Sequence, residues 1–127
     1  MVSWKNLDTL EAFKKLGESK KVNLVEVMSN ESGASRVKNY TIPMAAGMSF
    51  NYAAKQVDDD ILKGLAELAA EAQLSDKFKA LYEGEVINTG EKRLVLHQLT
   101  RGQLGSDVVA EGVNKREFYV AQQESFL

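Results

Sequence analysis

Cysteine does not occur in the 127-residue chain, and proline, histidine and tryptophan occur once each. Without a thiol there is no disulfide framework, no thiolate nucleophile and no cysteine-ligated metal. The lone proline, Pro43, leaves most of the backbone free to be helical. No charge sign dominates, since the formal net charge is −2. The chain therefore lacks the positive field that a phosphate backbone draws on, and no nucleic-acid partner is expected. No apolar run reaches the roughly 20 residues of a membrane span. The opening "MVSWKNLDTLEAFKKLG" is polar and periodic, unlike a secretory leader. No membrane contact is expected, and the expected compartment is cytoplasmic.

What the sequence does have is an ordinary globular composition, with 27% charged and 44% hydrophobic residues. Residues 1–127 carry no repeat, low-complexity tract or linker, so a single domain is expected. Its fold class reads as mainly α, a helical domain with a short β-hairpin. The first helix is expected over Asp8–Leu16, where Asp8 and Glu11 form a capping box and Gly17 is a stop. "KKVNLVEVMS" fits either period and leans to helix. Tyr40–Tyr52 reads as a small hairpin with one buried face, Met48, Phe50 and Tyr52 alternating with Ser49 and Asn51.

"DDDILKGLAELAAEAQ" is the strongest helix, with a stripe of Ile61, Leu62, Leu65, Leu68, Ala69 and Ala72 behind an acidic first turn. Ser75 is placed to cap a shorter helix that Gly84 closes. Thr89 is placed to cap a further helix carrying Arg93–Thr100 and stopping at Gly102. A last helix starts at Asn114, with Glu117 completing a capping box and Val113 and Phe118 at staple positions. It runs to Leu127 without a stop signal.

Acid–base chemistry needs groups within hydrogen-bond reach of one another. Asp58, Asp59 and Asp60 suggest a metal site only superficially, because consecutive helical residues diverge and no second ligand cluster follows. They read as a solvated helix start. "SNESGAS" reads as a surface turn, and Lys14, Lys15, Lys20 and Lys21 as solvated faces. His97 stands among Leu94, Val95, Leu96 and Leu99 with Arg93 and Arg101 at helical spacing. No nucleophile or orienting acid has a defined place beside it, so it reads as part of a packed helix edge. Trp4, Phe13, Phe50, Tyr52, Phe78 and Tyr82 fall on faces assigned to core packing. No catalytic, cofactor-binding or metal-binding residue is assigned from spacing.

The stretch "LYEGEVINTGEKRLVLHQLTRG" resembles the segment of glucose-6-phosphate isomerases written M-F-x-G-E-x-I-N-x-T-E-x-R-x-V-L-H-x-A-L-R. Gly84, Glu85, Ile87, Asn88, Glu91, Arg93, Val95, Leu96, His97 and Arg101 stand where that pattern wants them. Upstream, "FNYAAKQVDDDILKGLAELAAEAQL" is similar to the family's D-Y-S-K-x-x-I and following helix, and downstream "VVAEGVNKREFYVAQQESFL" to its V-D-G-x-x-V linker and last helix. Three blocks in one order cover residues 36–127. Asn51, Ala53, Ala54, Gly90 and the pair Leu99–Thr100 depart from the pattern and mark a divergent branch.

The resemblance implies the amino-terminal helical segment of a cytoplasmic, generally homodimeric enzyme of glycolysis and gluconeogenesis. Such enzymes interconvert glucose 6-phosphate and fructose 6-phosphate through ring opening and an enediol, with sugar phosphate as the substrate partner and no metal or organic cofactor. It also implies that the phosphate site, the glutamate base and the ring-opening groups lie in α/β sugar-isomerase domains outside residues 1–127, leaving His97 a structural position. Two rivals stand beside this reading. One is a stand-alone helical interaction module of shared ancestry, and the other a small acid–base enzyme built on His97.

Overall fold

The computed structural model describes residues 2–29, 31–101 and 106–126. Among these lie six α-helices and three two-stranded antiparallel hairpins. The chain falls into two compact units, Glu11–Leu68 and Met1–Leu10 with Ala69–Leu127.

The first unit opens with α1 (Glu11–Gly17). The expected helix from Asp8 is divided, because a 3-10 turn at Leu7–Thr9 ends in an extended Leu10 (ψ 141°) before α1 begins. Leu10 is buried at 6% exposure, so seating one leucine outweighs an unbroken ladder. α2 (Leu24–Met28) is helical as expected, with the Asn23 side chain accepting from the Glu26 N–H. α3 (Ser32–Asn39) replaces the expected surface turn from Ser32 onward, while Asn30 lies outside the described residues. Gly33 makes this possible: a Cβ there would sit 2.5 Å from the Met28 carbonyl oxygen.

β1 (Thr41–Pro43) pairs with β2 (Ser49–Asn51) in the expected hairpin, Ile42 opposite Phe50, around a turn at Ala45–Gly47. Of the face expected to be buried, Met48 and Phe50 are 58% and 46% exposed and Tyr52 is half-buried. α4 (Asp59–Glu71) then starts as expected, the Asp58 carboxylate accepting from the Ile61 N–H at 2.8 Å.

One side chain holds the chain between hairpin and helix. Buried Arg36 donates from Nε to the Ala53 carbonyl (2.8 Å) and from Nη2 to those of Lys55 (3.0 Å) and Val57 (2.7 Å). Its guanidinium lies 4.3 Å from the Tyr40 ring centroid. Converging carbonyl dipoles and a ring face take the place of water around the charge.

In the second unit α5 (Leu74–Glu83) follows Gln73, which is left-handed (φ 53°), so Ser75 lies inside the helix and not at its cap. The Gln73 side chain accepts from the Ser3 N–H at 2.8 Å, and Lys77 approaches the Trp4 ring. Gly84 closes α5 as expected in the left-handed conformation (φ 74°). Where a helix over Arg93–Thr100 was expected there is a hairpin, β3 (Val86–Asn88) with β4 (Arg93–Leu94), then a 3-10 turn at His97–Thr100. The Asn88 side chain decides this locally, accepting from the Glu91 N–H at 3.2 Å to bend the chain where Thr89 was to cap.

β5 (Val109–Ala110) and β6 (Val113–Asn114) form the third hairpin. α6 (Lys115–Ser125) is capped as expected, Asn114 accepting from the Arg116 and Glu117 N–H groups. Val113 and Phe118, the expected staple, are 45% and 49% exposed. The expected end points at Gly102 and Leu127 lie outside the described residues. The largest fully buried side chains of this unit are Leu99 and Val108.

Candidate functional site

The motif block Tyr82–Arg101 folds as a frame. Gly84 leaves α5 with its Cα against Val108, so close that a Cβ would meet Val108 Cγ1 at 2.2 Å. Gln98 reaches back to donate to the Leu81 carbonyl (2.9 Å), and Gln123 of α6 donates to that of Thr100 (2.7 Å). Leu99 between them is 1% exposed. Each of these residues fixes backbone or fills space. Gln98 and Leu99 hold the block in place, and no sequence argument singled them out for it; the signal was a polar residue beside a leucine in an apolar run.

His97 is exposed and lines an open groove of about 380 Å³ with Phe78, Leu81, Tyr82, Val95, Gln98 and Arg101. None of these is a carboxylate, so the lining offers His97 no acidic partner of the kind that commonly orients a catalytic imidazole. Arg101 lines the groove with His97, but Arg93 is on β4 and lines a different cleft. The helical spacing that put both arginines beside the histidine is therefore overturned by the hairpin.

Phe78 and Tyr82, placed in the core by the sequence argument, are 59% and 41% exposed, with rings 5.0 Å apart. Phe13 and Phe50 are likewise exposed, whereas Trp4 and Tyr52 are half-buried. The core packing expected for these six aromatics is therefore met only in part, at Trp4 and Tyr52. The acidic start of α4 places Asp59 within 2.9 Å of the Tyr40 hydroxyl, which donates to it. Burial pushes that phenol above its usual range, helped by the bond to Asp59 and its charge, while Arg36 pulls the other way. Among the described residues, no three His, Asp or Glu side chains gather where they could hold a metal ion. No helix of the described residues is long and apolar enough to cross a membrane.

The fold and the frame together define a small helical segment whose motif block is tied to its own backbone by Gln98 and Gln123. Comparison with known proteins makes that class specific. Residues 51–123, more than half of the chain, match the family model described as Phosphoglucose isomerase, and the chain belongs to that family. It is 48% identical over 124 residues to the glucose-6-phosphate isomerase of Treponema denticola, covering 94% of this chain and 24% of that protein. The Treponema pallidum enzyme of the same name is 40% identical over 127 residues, covering 97% of this chain and 24% of that protein. The glucose-6-phosphate isomerase of Borrelia garinii is 40% identical over 126 residues. The chain thus spans about a quarter of the length of the curated relatives it matches, corresponding to their amino-terminal part. The likeness extends through α1 and α2, which the motifs alone did not reach. A stand-alone interaction module gains no support from relatives that carry the isomerase name.

Proposed function

We propose that the chain serves as the amino-terminal framework of an enzyme interconverting glucose 6-phosphate and fructose 6-phosphate by ring opening and enediol proton transfer. The observation that carries this reading is the family match over residues 51–123. It is supported by a 48% identical relative that bears the isomerase name and aligns with nearly the whole chain. The geometry of the motif block agrees with a framework role, since Gln98 within it and Gln123 of α6 donate to backbone carbonyls of the same segment. In this role the segment carries no proton of the reaction, and by itself it turns over no sugar phosphate. The working protein is then a cytoplasmic homo-oligomer of glycolysis and gluconeogenesis needing no metal or organic cofactor.

A segment exchange tests this. Residues 1–127 replace the aligned amino-terminal part of the Treponema denticola enzyme, and fructose 6-phosphate consumption is followed by a coupled assay. Turnover within about tenfold of the parent, a barrier change of about 1.4 kcal/mol, is expected. A chimera that folds with the parent's thermal stability but has lost turnover by more than about a thousandfold overturns the reading. So does turnover by residues 1–127 alone after purification from a host lacking the enzyme.

A further inference from the structure

A second cleft of the same unit, of about 280 Å³, is lined by Lys92, Arg93, Lys115, Glu111, Phe118 and Tyr119 among others. Three cations and one carboxylate face it in a chain whose formal charge is −2. The turns of two hairpins bring them together. Lys92 sits in the left-handed conformation (φ 54°) in the turn between β3 and β4, just after the bend set by Asn88. Glu111 (φ 56°) occupies the turn between β5 and β6. Lys115 opens α6, its N–H donating to the Val108 carbonyl at 2.8 Å.

Two of the three cations are paired, Lys115 closely and Arg93 loosely. Lys115 Nζ lies 3.1 Å from Glu111, but the lysine side chain is 22% exposed and the glutamate 84%. Arg93 lies 3.8 Å from Glu91, both well exposed. The Arg93–Glu91 pair, exposed on both sides, contributes at most about 1 kcal/mol, and an anion with two charges competes with it effectively. Beside the charges, Phe118 and Tyr119 pack edge to face with ring centroids 5.4 Å apart, Phe118 half exposed. Guanidinium and ammonium donors match a phosphate, and an open aromatic surface matches a planar body. The volume is near the lower limit of small-molecule sites, roughly 300 Å³, which suits one ring and one phosphate.

We propose that this cleft binds a phosphomonoester carrying a single planar ring, through Lys92, Arg93 and Lys115 on the phosphate and Phe118 and Tyr119 on the ring. The site is separate from the isomerase reading and stands or falls without it.

Pyridoxal 5′-phosphate is a suitable probe on the full chain, because it is a planar phosphomonoester that also carries an aldehyde. The unprotonated Nζ of Lys115 or Lys92 attacks the aldehyde carbon, a C–N bond forms, and the carbonyl oxygen leaves as water. Borohydride then delivers hydride to the imine, giving a stable secondary amine that peptide mass mapping locates. Lys115 or Lys92 is expected to be labelled about tenfold faster than Lys38 and Lys63, as a contact of about 1.4 kcal/mol implies. Pyridoxal, lacking the phosphate, loses this preference, as does the Arg93→Gln variant, whose replaced side chain is 76% exposed. Phenyl phosphate protects at lower concentration than inorganic phosphate. Labelling no faster than at the control lysines, a preference that pyridoxal or Arg93→Gln retains, or equal protection by the two phosphates overturns the proposal.

Discussion

Gly84 shows how much one missing side chain decides. It combines a left-handed backbone with contact against a fully buried valine, so Gly84→Ala meets a torsional penalty and a steric one together. The first is roughly 1–2 kcal/mol and the second roughly 1–3 kcal/mol. A loss of about 3 kcal/mol in urea unfolding is expected, against less than 1 for Gly90→Ala, whose Cβ would meet nothing closer than 3.8 Å. Tyr40 is the residue whose protonation matters. Its raised pKa means that folding favours the neutral phenol. That contribution is complete below the unfolded value of 10.0 and is lost as pH rises through the higher folded value. Between about pH 9 and 11, the wild-type urea midpoint should fall more steeply than that of Tyr40→Phe. Parallel slopes would show that the phenol is not the group responsible.

Among elements, the link from α3 to the strand-exit segment 53–57 is the informative one. Among the described residues, Arg36 reaches that segment at three points, the carbonyls of Ala53, Lys55 and Val57. Arg36→Lys keeps the charge but loses the planar fork, so at least one carbonyl is left without its donor. A cost of about 2 kcal/mol is expected, with the amides of Lys55 and Val57 exchanging faster by hydrogen-exchange mass spectrometry while those of α5 are unchanged. How far the elements were legible follows from the kind of signal each carries. α4, α5, α6 and the β1–β2 hairpin were readable because caps and periodicity are local, as the Asn114 and Asp58 caps show. The helix expected over Arg93–Thr100 was not, since its apolar residues also suit a hairpin and the Asn88 turn decided between them. α3 was hidden because Gly33 and two serines argue for a turn, and only the seat against Met28 and the reach of Arg36 show otherwise. The block that carries the family pattern was legible as a pattern but not as geometry. Of its residues, Gly84 could be understood from the chain alone, whereas the exposure of His97 depended on the hairpin.

For the whole molecule, the telling quantity is the apolar surface left in view. Phe126 and Phe78 are 86% and 59% exposed in one unit, and Met48, Met44 and Ile42 are 58%, 51% and 48% exposed in the other. Soluble monomers rarely display this many large apolar side chains without covering them. Residues 1–127 on their own are therefore expected to self-associate, with a sedimentation coefficient that rises with concentration and falls back for Phe78→Ser with Phe126→Ser. A single monomeric species at every concentration would show that these side chains do not drive assembly. Incorporated in a longer isomerase, the same residues would be covered by chain and the concentration dependence should vanish.

The meeting of Gly84 with Val108 has a consequence for how this sequence can change over time. A lineage that trims the valine frees space but leaves the twisted backbone, which asparagine tolerates far better than a branched residue. The two positions are thus expected to drift as a couple, with a bulkier partner at 84 arising only after shrinkage at 108. Order of substitution, and not merely their sum, then separates viable paths from blocked ones.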